Sequence, residues 1–178
     1  MIFGLLPPLK LPWFIKKFLK NKPTIRHLTA GEITLARSVF GVLMNYEKVR
    51  IVNYPYLPWQ TDDVLIAPNG WVFVSDKHYQ DDFSQCGARY AQVFIHEMTH
   101  VFQYQQGINV LWRGAWLQSL HYLSFLKYNP YHYRLDETKN FWEYNIEQQG
   151  KICEDIYLGK IKNIVCAHRK QSPKTHQS

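Results

Sequence analysis

Five consecutive residues carry the most recognisable chemistry in the sequence: His96, Glu97, Met98, Thr99 and His100, an H-E-x-x-H pattern. On a helix, positions i and i+4 lie on the same face, so both imidazoles can bind one metal ion. Neutral imidazole nitrogens suit Zn²⁺, which they bind at about 2.0–2.1 Å. Glu97 lies beside the expected metal, where its carboxylate can take a proton from an attacking water. The pattern predicts a zinc hydrolase centre with His96 and His100 as metal ligands and Glu97 as general base.

Bulky, uncharged residues surround this motif. Val93-Phe94-Ile95 precede it and Val101-Phe102 follow it, so we expect the helix to be buried. Buried imidazole and carboxylate groups need polar partners, and a metal ion provides one. A surface helix with two unrelated histidines would not be this apolar around its polar residues.

A catalytic zinc site also needs a third protein ligand and an open position. The metzincin extension, which supplies a third histidine shortly after the motif, is absent, because positions 103 and 106 are both Gln. His121 and His132 could serve. A better source is a later helix, expected over 137–158, that lies across the first.

One stripe of that later helix is mostly acidic and consists of Glu143, Glu147, Gly150 and Glu154. We predict Glu147 as the third ligand, because Gly150 one turn later favours close approach to a neighbour. Glu143 is the alternative ligand. Glu143 or Glu154 could instead orient a ligand histidine from behind. An acidic stripe of this kind also fits a solvated helix face.

A hydrolase of this kind usually steadies the oxyanion with a tyrosine or histidine. The aromatic stretch before the third helix and the start of that helix offer four candidates: Tyr131, His132, Tyr133 and Tyr144. The residue types and spacing do not choose among them.

The elements that must position these residues read as an α+β domain: a helix, a small sheet, then further helices. Thr29 and Glu32 form a capping box for a first helix that ends near Gly41. The expected elements after it are a strand in KVRIVN (48–53), a hairpin at 64–75 around Pro68-Asn69-Gly70, and helices at 88–106, 110–127 and 137–158, the last capped by Asp136. The hairpin could pair with extended substrate through its backbone.

The net charge of +7 is concentrated at the two ends. Residues 1–30 carry six basic residues and no acidic one, and residues 168–178 carry three and none, whereas residues 31–167 are slightly acidic. No helix-turn-helix, finger or RNP-type motif supports nucleic-acid binding, so we expect none. We divide the chain into a basic amphipathic N-terminal segment (1–27), a metallopeptidase domain (28–168) and a disordered basic tail (169–178).

Other sequence features bear on the compartment. The three cysteines have no metal-ligand spacing and are too few for a disulfide scaffold. No apolar run is long enough for a transmembrane helix. Three prolines interrupt the N-terminal apolar stretch, which precedes its basic residues, so we expect no signal peptide.

Several blocks between residues 28 and 158 recur together in one known family. They are LTAGE (28–32), LARSVFG (35–41), VRI (49–51), APNG (67–70), HEMTHVFQYQ (96–105) and YNIEQQ (144–149). In this order they resemble the VgrG-related zinc metallopeptidase domains of bacterial type VI secretion. The motif with a distal Glu is also similar to gluzincin-like metallopeptidases.

The resemblance implies a zincin-like α+β fold with Zn²⁺ held by His96, His100 and Glu147, and Glu97 as base. It implies an antibacterial toxin made in the cytoplasm and secreted by the type VI system with a VgrG or Rhs protein. Its site of action would be the periplasm of a target cell, with a cognate immunity protein protecting the producer. The substrate would be a periplasmic protein or a peptidoglycan peptide stem. A non-catalytic alternative is a zinc-stabilised binding or adaptor module associated with the secretion spike.

Overall fold

Three short strands and five helices make up the part of the chain that the computed structural model describes, residues 23–57, 60–61 and 65–167. In chain order they are β1 (Thr24–Arg26), α1 (Ala30–Phe40), β2 (Ile51–Asn53), β3 (Val72–Phe73), α2 (Ala88–Gln105), α3 (Val110–Leu123), α4 (Ile146–Tyr157) and α5 (Ile164–Ala167). Single 3₁₀ turns lie at Tyr46–Lys48, Phe83–Gln85 and Phe141–Glu143. This combination of a small sheet and several helices confirms the expected α+β class.

Helix α1 begins and ends where the sequence predicts. The Thr29 hydroxyl accepts a hydrogen bond from Glu32 N, and the Glu32 carboxylate accepts one from Thr29 N, which is the predicted capping box. Gly41 follows the helix at φ +56°, a left-handed conformation that glycine adopts without strain. The buried Glu32 carboxylate also accepts two 2.8 Å hydrogen bonds from Arg26 and one from Phe83 N. This cluster fixes β1 against α1.

The sheet has the order β1-β2-β3, with β1 antiparallel and β3 parallel to the central β2. Strand β1 precedes residue 28, so the sheet begins before the expected domain boundary. The predicted strand over 48–53 is shortened to β2, because Asn45 caps the 3₁₀ turn that contains Lys48. The predicted hairpin is reduced to one antiparallel bridge between Ile66 and Phe73.

Helix α2 supplies much of the core and matches the helix predicted at 88–106. Its inward face buries Phe94, Ile95, Met98 and Val101 completely, among residues of α1, the sheet and α4. Gly107 follows with φ +82°, which explains why the helix stops there.

The two later helices are shorter than predicted. Helix α3 ends at Leu123 rather than at 127, because Phe125 and Leu126 adopt positive φ. Helix α4 begins at Ile146 rather than at 137, because the Asn145 side chain accepts hydrogen bonds from Glu147 N and Gln148 N and so starts the helix there. Asp136, the predicted cap, accepts from Thr138 in a local turn instead.

Most of the N-terminal segment 1–27 and the whole tail 169–178 lie outside the described residues. Within the described part, no helix has the length and apolarity required to cross a bilayer. The cysteines, Cys86, Cys153 and Cys166, are all free.

Candidate metal centre

Helices α2 and α4 are in close contact at Gly150. A Cβ atom added to Gly150 would lie 2.5 Å from Cε1 of His96 and within 2.8 Å of both ring nitrogens. The ring therefore occupies the space that any other residue at 150 would fill. This is the close approach that the sequence predicted one turn after Glu147, and it brings the second helix to the motif.

Three candidate ligands converge at this crossing: His96, His100 and Glu147, whose ligand atoms all lie within 4.8 Å of one another. Glu147 Oε2 lies 3.2 Å from His96 Nε2 and 3.6 Å from His100 Nε2. Tetrahedral zinc with bonds of about 2.0–2.1 Å separates its ligand atoms by about 3.3 Å. Both oxygen–nitrogen separations are therefore close to those of a tetrahedral site, and the three side chains could hold one metal ion.

Each histidine is oriented through its other ring nitrogen. His96 Nδ1 lies 2.9 Å from Glu154 Oε1, and His100 Nδ1 lies 2.9 Å from Gln103 Oε1. Because both Nδ1 atoms face acceptors, both Nε2 atoms turn towards Glu147. Metal-ligating histidines are commonly held in this way, since the second hydrogen bond fixes the tautomer and the ring plane.

Gln103 belongs to a buried chain of amides that joins the two helices. Its Nε2 donates to the backbone carbonyl of Ile146 at 3.0 Å and to Gln149 Oε1 at 2.9 Å, while Gln149 Nε2 donates to Tyr144 O. Both hydrogens on Gln103 Nε2 are thus used in hydrogen bonds to oxygen atoms. Its own oxygen must face His100, whose Nδ1–H therefore donates to it.

Glu97 lies beside the cluster and is almost completely buried. Its Oε2 has no hydrogen-bond partner among the described residues, which is uncommon for a buried carboxylate. Burial raises the pKa of Glu97 to about 7, and the charges of Glu147 and Glu154 add to the rise although both histidines oppose it. An unpaired carboxylate with this pKa is suited to move a proton near neutral pH.

Hydrogen bonds within the ligand cluster shift the pKa values of its members strongly. Burial would disfavour a charged His96, but its hydrogen bonds to Glu147 and Glu154 raise its pKa to about 10. Burial would likewise raise the pKa of Glu147, yet its hydrogen bonds to His100 and His96 lower it well below the ordinary range. The Glu147 carboxylate is thus anionic and paired with both imidazoles.

The other candidates for the ligand set are held elsewhere. Glu143, the alternative third ligand, precedes α4 and accepts a hydrogen bond from Asn140 N, so it does not share a helix face with Glu147. His121 bonds through Nδ1 to the carbonyl of Tyr128. Glu154 orients His96, a role for which the sequence offered either Glu143 or Glu154.

Tyr131 is the candidate oxyanion stabiliser whose ring neighbours a ligand histidine, with its ring centroid 6.2 Å from that of His96. Burial and the charges of Glu147 and Glu97 raise its pKa to about 12, so its hydroxyl remains a donor. The other three make different contacts: Tyr133 donates to Asp155, Tyr144 accepts from Asp136 N, and the His132 carbonyl accepts from Gln148.

Gln103 is the one site residue whose role the sequence did not indicate. Its spacing, one turn after His100 on the same face, was the available signal.

Comparison with known proteins gives two informative matches, both from Pseudomonas aeruginosa. The chain is similar to the type VI secretion system spike protein VgrG2b, with 43% identity over 136 residues, or 76% of this chain. A solved structure described as the effector domain of VgrG2b matches with a TM-score of 0.69 and 42% identity. That match covers 75% of this chain and 74% of the other.

The chain spans only 13% of the length of the complete VgrG2b protein. No protein-family model matches the chain.

Proposed function

This chain belongs to the family of VgrG2b effector domains, and from that premise we propose that it is a zinc-dependent metallopeptidase. The observation that carries the proposal is the convergence of His96, His100 and Glu147 beside the buried, unpartnered carboxylate of Glu97. Two histidines, a carboxylate ligand and a free base form the residue set of gluzincin-like hydrolases. The proposed fold is accordingly zincin-like.

The donor set favours zinc over the harder divalent cations. Calcium and magnesium prefer six or more oxygen ligands, whereas here two of three ligand atoms are imidazole nitrogens. His96, His100 and Glu147 would hold the ion. Zn²⁺ supplies Lewis-acid chemistry when bound, polarising a carbonyl oxygen and making water a stronger acid.

Glu97 acts as general base and then as general acid. Its buried carboxylate, with a pKa of about 7, takes a proton from the attacking water as the water adds to the scissile carbonyl. The protonated Glu97 then delivers that proton to the departing amine. Because no other described group bonds to Oε2, this oxygen is free for both transfers.

Tyr131 is the proposed oxyanion stabiliser. Its ring neighbours that of His96, and its raised pKa keeps the phenol protonated. A hydroxyl that donates to the developing oxyanion lowers the energy of the transition state more than that of the substrate. The outer strand of the reduced hairpin, at Ile66, is the proposed backbone-pairing edge for extended substrate, because the N–H and C=O of Phe73 in β3 are already bonded to Ile66.

We further propose that the activity is that of an antibacterial type VI effector. The substrate would be a protein or a peptidoglycan peptide stem in the periplasm of the target cell. The proposal includes delivery with a VgrG or Rhs protein and neutralisation by a cognate immunity protein; the similarity to an effector domain of a VgrG protein supports the delivery route.

Three variants with matched chemistry test the proposal: Glu97→Gln, Glu147→Gln and Glu143→Gln. Each would be purified for zinc analysis and expressed in a bacterial host, either in the cytosol or with an added periplasmic signal. We expect Glu97→Gln to keep one zinc per chain but lose toxicity. Glu147→Gln should lose zinc and toxicity, and Glu143→Gln should keep both.

Undiminished periplasmic toxicity of Glu97→Gln would reject catalysis and favour the zinc-stabilised adaptor module. A wild-type protein that binds no zinc after purification and reconstitution would reject the metal. Toxicity only from the cytosol would reject the periplasmic site of action.

A further inference from the structure

The outer face of α3 and the turn that follows it expose an unusual amount of apolar surface. We call this surface the aromatic ridge; it consists of Trp112, Trp116, Tyr122, Leu123, Phe125 and Leu126. Trp112 is 73% exposed and Phe125 88% exposed. Soluble monomers rarely leave apolar patches of several hundred Å² uncovered unless something binds there.

The ridge follows from the way α3 packs. The inward side of the helix buries Val110 and Leu117 against Ile146, at the start of α4. Trp112, Trp116 and Leu123 lie four and seven residues apart and therefore form one stripe on the outward side. At about 1.5 Å per residue, the helix carries this stripe over roughly 20 Å.

The tip of the ridge is held in an unusual conformation. Phe125 and Leu126 both have positive φ, 54° and 65°, which bulky residues seldom adopt. Leu126 N donates to the carbonyl of His121 and closes the turn. The strained turn thus presents two apolar side chains to solvent. Side chains this exposed stand out from the surface and do not line a groove.

The segment of chain that carries the ridge contains basic residues and no acidic one. No aspartate or glutamate occurs between Met98 and Leu135, whereas Arg113, Lys127 and Arg134 are all exposed there. Within the described residues, none of these three cations takes part in an ion pair. An apolar ridge whose own segment carries exposed cations is complementary to a surface that is apolar inside and anionic outside.

We propose that the aromatic ridge docks on the surface of a bilayer rich in anionic lipid. Trp and Tyr rings favour the headgroup level of a membrane, and Phe and Leu favour the acyl boundary beneath it. Arginine and lysine bind anionic headgroups there while their stems cover apolar surface. An interface with another protein would instead surround its aromatic core with a rim of polar residues that form hydrogen bonds.

Docking of this kind would hold the metal centre beside the membrane. The segment that leaves the ridge runs on to Tyr131, next to His96, and the inward side of α3 packs against the residue before Glu147. The inference itself does not depend on zinc or catalysis, because vesicle binding is measured separately from both.

The test is cosedimentation of the full chain with vesicles of phosphatidylglycerol and phosphatidylethanolamine, or of phosphatidylcholine alone. The variants are Trp112→Ser with Trp116→Ser, and Phe125→Asn with Leu126→Asn. Asparagine tolerates positive φ and should preserve the turn. The matched control is Trp71→Ser, at an exposed tryptophan that immediately precedes β3, and thermal unfolding verifies that each variant is folded.

We expect the wild type and Trp71→Ser to bind the anionic vesicles, with binding that weakens at high salt and on phosphatidylcholine. Each ridge variant should bind at least about tenfold more weakly, as expected for removing two large apolar side chains from the membrane boundary. Three results would overturn the inference: no binding by the wild type, unchanged binding by both ridge variants, or self-association through the ridge without vesicle binding. A further variant, Lys16→Glu with Lys17→Glu, tests the N-terminal segment. If this variant alone loses vesicle binding, the inference is overturned and binding belongs to that segment.

Discussion

At the scale of single residues, the Gln103 side chain connects the orientation of the candidate ligand His100 to the packing of the core. Its oxygen fixes the ring of His100, and its nitrogen is fixed in turn by Ile146 O and Gln149. A side chain that never touches the metal can therefore determine where a ligand atom points.

We predict that Gln103→Met lowers zinc affinity by about 10–100-fold, because the shape is nearly kept but the acceptor for His100 Nδ1–H is lost. Competition with a chromogenic chelator measures the affinity of the folded protein. Gln106→Met, on the exposed residue that caps the same helix, is the matched control and should bind zinc normally. Equal affinities for the two variants would show that the hydrogen bond to His100 has no positioning role.

At the scale of elements, the site depends on how closely α2 and α4 pack at Gly150. Neither helix carries all three ligands, and the His96 ring lies where a side chain at 150 would be. Packed helices transmit such a volume change because interiors have few voids to absorb it.

We predict that Gly150→Val displaces His96 and weakens zinc binding at least about tenfold, with a loss of stability of roughly 1–3 kcal/mol from overpacking. Gly114→Val is the control, since a Cβ there would meet only Ile146 Cδ1 at an ordinary 3.9 Å. Zinc content after dialysis compares the two. Retention of full zinc content by Gly150→Val would contradict the proposed role of the close approach.

The helix boundaries show most clearly what the sequence could and could not predict. The capping box at Thr29 and the motif helix were predictable, because their signals lie within a few residues of one another. The start of α4 was not, since Asp136, Asn140 and Asn145 can each cap a helix and only packing selects Asn145. The role of Gln103 was not predicted for a similar reason: the two oxygens that fix its amide nitrogen, on Ile146 and Gln149, lie more than 40 residues away in sequence.

At the scale of the whole molecule, a metal shared by α2 and α4 should add to the stability of the fold. A ligand that binds only the native state stabilises it by about 4 kcal/mol when its free concentration is about 1,000 times its Kd. For a chain of this size, each kcal/mol shifts the melting temperature by roughly 2–4 °C.

We therefore predict that removing zinc with a chelator lowers the melting temperature by roughly 8–16 °C, and that added zinc restores it. Scanning calorimetry measures both steps. Glu147→Gln should melt near the temperature of the chelated wild type and respond little to either treatment. A wild-type melting temperature that chelator leaves unchanged would argue against a shared ion.

The crossing of α2 and α4 also bears on whether the chain must be continuous after α3. The packing at Gly150 and the amides of Gln103 and Gln149 join the two helices directly, while Phe141 and Tyr144 of the connecting segment pack into the same core. A single cut in the exposed turn after α3 would break the covalent link but leave these contacts intact. The chain is thus a candidate for fragment complementation, in which two inactive pieces, separately made, assemble one centre.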